Sequence, residues 1–166
     1  MKKILLLVAL VATAFTQSFA QNTAKPAALG SLLSSYYEVK NALIKSNSSD
    51  AATHASNFLK AVNAVDMKSL PEADMNAFMS FQDKLAFDAK HISESKDIAH
   101  QREHFANFSS NFFKLAKAVK LTDQAVYYDY CPMKKSYWLS ADASIKNPYF
   151  GSQMLTCGKV TETLNK

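Results

Sequence analysis

The stretch "DIAHQREHFANFSSNFFKLAKAVK", residues 97–120, has the clearest periodicity in the chain. Ile98, Phe105, Phe108, Phe112, Leu115 and Val119 follow an a/d pattern, so at about 100° per residue they share one side of a helix. A stripe of that kind has to be covered by other elements. Three earlier segments can do so. Residues 29–46 place Leu32, Tyr36, Val39 and Leu43, with Ile44 beside them, on one face. Residues 51–65 turn Phe58, Leu59, Val62 and Val65 inward, after the cap-forming cluster "NSSD" at 47–50. A third segment opens at Ser69-Leu-Pro-Glu72, which fits a capping box with proline in the first turn. It carries Met75, Phe78, Gln82, Leu85, Ala86, Ala89 and Ile92 at helical spacing until "SESKD" ends it.

The chain has only three glycines, none between Gly30 and Gly151, which suits long helices. Short connections between four helices imply antiparallel neighbours. The character changes after Leu121. "AVYYDY" at 125–130 is β-branched and aromatic and predicts a short strand. "KVTETL" at 159–164 can pair with it, and "LSADASIKNPYFG" at 139–151 reads as a loop with a helical turn and an Asn-Pro corner. The expected fold is mainly α: an antiparallel four-helix bundle with a C-terminal Cys-Met tail, from about residue 122, that contains a short two-stranded β element.

The start of the chain sets the expected compartment. Lys2 and Lys3 precede an apolar run at 4–14, and "SFA" at 18–20 is a small-x-small cleavage site. This reads as a secretory signal peptide over residues 1–20, because the apolar run is too short to span a bilayer. A flexible lead at 21–28 and a single domain at 29–166 would follow. The short two-lysine start has a bacterial look, which makes the expected location periplasmic, with no membrane insertion after signal cleavage. Removing Lys2 and Lys3 leaves 17 of the 19 basic side chains against 14 acidic ones, or +3. The lysines are scattered and Arg102 is the one arginine, so nucleic acid is not an expected partner.

The tail holds both cysteines of the chain. Cys131-Pro-Met133 and Met154-Leu-Thr-Cys157 offer two thiols and two thioethers, a soft set that selects Cu(I) or related ions. Three readings stay open on these residues: a metal site, a disulfide and plain packing. Two cysteines in an exported chain commonly pair, and closing this separation would stabilise by about 3 kcal/mol in the chain-entropy picture. The methionines would then be core filler.

The histidines form a second tier. His100 and His104 are one helical turn apart and can grip one ion, with His91 near the end of the preceding segment. Met75 and Met79 are likewise one turn apart, Met75 on the core face and Met79 at its edge. His54 has no local partner and is expected at the surface. "HQREH" at 100–104 also matches His-x-x-Glu-His, in which Glu103 would activate a zinc-bound water. Such peptidases are larger and take a distant acidic ligand. Here Glu162 is the one glutamate after His104, so no enzyme is expected.

The motif "YYDYCPM…YWLS…IKNPYFGSQMLTCG" resembles the signature of a family of uncharacterised exported domains common in Bacteroidetes. These occur alone or joined to periplasmic adaptor subunits of copper/silver-type heavy-metal efflux pumps. "YYEVKNALIKSN", "VDMKSL", "DMNAFM" and "DIAHQREHFANFS" extend the resemblance over about residues 29–160. It implies a copper context rather than an activity. On that basis the expected function is binding of a soft heavy metal, Cu(I) foremost, for buffering or delivery to an efflux system. Cys131 and Cys157 would be the ligands, Met133 and Met154 would complete or flank the site, and His91, His100, His104 and Met79 would stand second. The alternative is a non-catalytic interaction module stapled by a Cys131–Cys157 disulfide, with an efflux adaptor as partner.

Overall fold

The computed structural model describes residues 29–164, so the expected signal peptide and lead lie outside the described residues. Four helices come first: α1 Gly30–Ile44, α2 Ser48–Asn63, α3 Glu72–Glu94 and α4 Ile98–Ala118. Each packs on the next in the chain. Along α3 and α4 the residues meet in reverse order, His91 beside His100 and Asp88 beside His104, so this pair is antiparallel.

The helix ends follow from local chemistry. Ser46 adopts a left-handed backbone (φ 54°), which lets the Asn47 N–H reach back to the Ala42 carbonyl at 3.0 Å. Asn47 then caps α2, accepting from the Asp50 N–H at 3.1 Å and donating to its carboxylate at 2.7 Å. Asp97 caps α4 through the Ala99 N–H. The expected capping box at Ser69–Glu72 does not form. Asp66 caps a short 3₁₀ turn, Met67–Ser69, and the Ser69 hydroxyl donates to the Asp66 carbonyl, so Ser69 is used one turn too early to cap α3. Pro71 occupies the N-cap position instead.

The predicted stripes are the core. Leu32, Tyr36, Val39, Leu43, Phe58, Val62, Phe78, Leu85, Ala89, Ile92, Phe105, Phe108, Phe112 and Leu115 are buried. Met75 is half-buried rather than core, and Met79, expected at the edge of the core face, is 58% exposed. The first turns of α3 overhang the core, so its buried face starts at Phe78.

The tail departs from expectation in one respect. Its sheet has three antiparallel strands, β1 Val126–Cys131, β2 Ser136–Ser140 and β3 Lys159–Leu164, in the order β2-β1-β3. The pairing of β3 with β1 was expected; β2 is the additional strand. The chain reverses through residues 132–135, where Lys135 takes φ 56° and donates to the Cys131 carbonyl at 2.8 Å. "YWLS" can then lie against β1, with Trp138 opposite Asp129 and Ser136 opposite Cys131.

Tyr36 joins the helices to this sheet. Its ring is buried against Phe105, Phe108 and Phe112, stacked on the last at 5.0 Å. Its hydroxyl shares a 2.7 Å hydrogen bond with Ser109 and accepts one of 3.0 Å from the Leu139 N–H. One N–H on the free edge of β2 is thereby satisfied by a helix side chain. Tyr36→Phe keeps the ring and removes both bonds. Stranding a buried N–H should cost about 1–3 kcal/mol, read as a lower denaturant midpoint at unchanged slope.

The segment after β2 is clamped to the helices. Arg102 donates to Pro148, Leu43 and Ser46, and Gly151 fits against the end of α1. A Cβ on Gly151 would come within 2.8 Å of the Ile44 carbonyl, and its φ of 56° disfavours any side chain.

Candidate metal centre

The described residues bring three imidazoles together. His100 and His104 project from one face of α4, four residues apart, and α3 returns alongside to add His91. The connection is short, residues 95–97, and Gln101 fixes it. The fully buried Gln101 amide nitrogen lies 2.8 Å from the Ser95 carbonyl, 3.1 Å from that of Ile92 and 2.9 Å from that of Ser48. One ligand nitrogen from each histidine lies within 4.8 Å of the other two. The His91 and His104 rings stack at 4.4 Å, and His100 meets His104 edge-on at 4.7 Å.

A carboxylate stands behind the cluster. Asp88 is buried and lies 3.0 Å from His104 Nδ1. Burial pushes the Asp88 carboxyl above its ordinary range, while the hydrogen bond to His104 and the nearby His104 and His91 rings pull it back. With Nδ1 engaged by Asp88, His104 presents Nε2 to an ion, and the carboxylate holds the ring in place. Phe87, 57% exposed, covers one side at 4.4 Å from His91. The exposed Glu103 lines a different cleft, with Arg102, Lys134 and Tyr149. Met79 lies twelve residues before His91 on α3, about 18 Å along the helix, and does not join the cluster. His54 lies 3.0 Å from Glu38 on α1.

The sulfur residues gather elsewhere. Cys131 at the end of β1 and Cys157 just before β3 are adjacent free thiols, one buried and one partly exposed. Burial and the neighbouring Cys131 thiol raise the Cys157 thiol above its ordinary range, and the Met133 N–H on its sulfur acts in the opposite sense. The Lys134 N–H points at Cys131 Sγ at 3.4 Å. The Met133 side chain is 65% exposed, and Met154 is half-buried, its carbonyl accepting from the Cys157 N–H. The structure thus unites the two cysteines and, separately, the three histidines.

A family profile matches residues 32–124, more than half of the chain. The chain belongs to a family of proteins of unknown function, DUF3347. The matched span of this DUF3347 protein contains Asp88 and all three histidines, and it ends ahead of β1 and the cysteines. No curated protein and no solved structure matches the chain.

Asp88 escapes a reading of the sequence. It is sixteen residues from His104, so its placement depends on the α3–α4 register, whereas His91, nine residues from His100, is a candidate already from its place near the end of the preceding segment. The available signal was the His-x-x-x-His pair near a three-residue helix connection.

Proposed function

We propose that this DUF3347 protein binds a transition-metal ion through His91, His100 and His104. The observation that carries this is the convergence of three imidazoles on two packed helices, one backed by a buried carboxylate. Imidazole donors suit copper, zinc and nickel, and a three-histidine set leaves coordination positions open for exchange. The ion is cargo or signal, and the four helices serve as an up-down-up-down bundle that fixes the donors. Copper is the ion favoured by the resemblance to exported efflux-associated domains, with a periplasmic setting and delivery to an efflux adaptor as the proposed context.

A second reading rests on the cysteines. Their adjacency supports a two-thiolate Cu(I) site, with Met133 and Met154 flanking it. Titration of the mature protein with Zn²⁺, Cu²⁺ and Cu(I) against competing chelators separates the two. Equimolar binding that survives in the Cys131→Ser/Cys157→Ser double variant is expected for the imidazole site. Binding that disappears with the cysteines would overturn it and move the ion to the sulfurs. Acidification should weaken imidazole binding, since protons compete for the same lone pairs.

A further inference from the structure

We propose that Cys131 and Cys157 are a redox-active pair that exchanges with an external thiol or disulfide, and that the exchange enters through Cys157. This activity is separate from metal binding at the histidines and uses none of them.

Three observations carry it. The two sulfurs are neighbours although 26 residues separate them in the chain. Their access differs: Cys131 is 0% exposed, while Cys157 is partly exposed between a 3₁₀ turn, Gly151–Met154, and β3. Each sulfur also faces a backbone N–H from the same tight turn, Lys134 on Cys131 and Met133 on Cys157. That turn is held by the Lys135 N–H on the Cys131 carbonyl, and Asn147 holds the segment leading into β3 by donating to the Cys157 carbonyl at 2.6 Å. Amide N–H groups aimed at sulfur stabilise the charge that develops when a disulfide opens. A buried thiol beside an accessible one gives the exchange a direction of entry.

With Cys131 and Cys157 joined, an incoming thiolate attacks Cys157 Sγ. A bond forms between the external sulfur and Cys157, and the Cys157–Cys131 bond breaks. Its electron pair leaves on Cys131 Sγ, opposite the Lys134 N–H. A second external thiolate attacks the external sulfur of the mixed disulfide and releases Cys157. Two external thiols are oxidised to one disulfide, the protein disulfide is reduced, and the two protons given up by the external thiols end on the protein cysteines. The same steps in reverse oxidise the pair at the expense of an external disulfide.

The test uses the metal-free mature protein and glutathione. In Cys131→Ser, glutathione disulfide should add one glutathione at Cys157. The rate should exceed adduct formation on Cys157→Ser by at least about ten-fold, and the difference should vanish in denaturant. The wild type should pass between dithiol and disulfide across a glutathione redox series while its circular dichroism stays native. Should Cys131→Ser fail to fold, alkylation of the reduced wild type with peptide mapping reads the same order, Cys157 first. A pair that stays fully oxidised or fully reduced until the protein unfolds would overturn the proposal. So would equal reactivity at the two positions. Loss of metal binding in histidine variants bears on neither outcome, so the two ideas fail separately.

Discussion

Replacing His91 with alanine is expected to abolish the thermal stabilisation that a bound metal confers, while barely moving the melting temperature of the metal-free protein. An ion held by the folded state at one hundred times its dissociation constant stabilises by about 2.7 kcal/mol. For a domain of this size that is an upward shift of about 10 °C. His91 is the informative position because it is half-buried, rests on Phe87 and the His104 ring, and makes no bond to Asp88. Its removal takes away one of three donors and leaves the rest of the hairpin intact, so the metal-free midpoint should fall by no more than about 3 °C. His104→Ala would confound the two effects, since it also strands the buried Asp88 carboxylate. Differential scanning fluorimetry with and without Zn²⁺ or Cu²⁺ checks this. An undiminished metal-induced shift in His91→Ala would remove the imidazole site.

The second large effect concerns Asp129. It sits on the central strand, fully buried, and neither carboxylate oxygen has a hydrogen-bond partner among the described residues. Desolvation pushes its carboxyl up to about 7; Lys40 pulls it down and Asp142 pushes it further up. Lys40, also buried, is driven down to about 8 by desolvation, opposed by Asp129. The signs follow from linkage. Between the ordinary value of 3.8 and about 7, folded Asp129 keeps a proton that the unfolded chain has lost, so stability falls as pH rises through that window. From about 8 to the ordinary 10.5, folded Lys40 has given up a proton that the unfolded chain still holds, so stability rises again. The stability profile should therefore have a trough between pH 7 and 8. At about 1.4 kcal/mol per pH unit, the Asp129 limb amounts to at most about 4 kcal/mol. Asp129→Asn keeps the shape and removes the titration. Urea unfolding at pH 5 and pH 8 should show a large loss for the wild type and a nearly flat response for the variant. Equal pH dependence in both would show that the loss arises elsewhere.

The helices were legible because Phe105, Phe108 and Phe112, and the matching positions of α1 to α3, report a 3.6-residue period directly. The α3 start was misplaced because Ser69 and Glu72 fit a capping pattern, while Asp66, three residues earlier, captured Ser69 first. Strand β2 was missed because its turn has no Asn-Gly or Asp-Gly signal; a lysine takes the left-handed position, at φ 56°. At the candidate site the His100–His104 pair was legible from spacing, which is a property of one helix. His91 and Asp88 depend on how two helices register, and that is fixed by burial of Ile92, Ala89 and Phe105 and by the Gln101 amide. Cysteine count suggested that Cys131 and Cys157 would meet, but their unequal exposure depends on a sheet that the sequence showed only in part.

The α3–α4 hairpin also carries a consequence for the order of assembly. All three imidazoles and Asp88 fall within residues 88–104, around a three-residue connection, so bringing them together costs little chain entropy. The two cysteines meet only after β1, β3 and the intervening segment have docked. A chain still lacking its sheet would already possess its nitrogen donors, and an ion captured then would act as a folding template for α3 and α4, in place before the sulfur pair is complete.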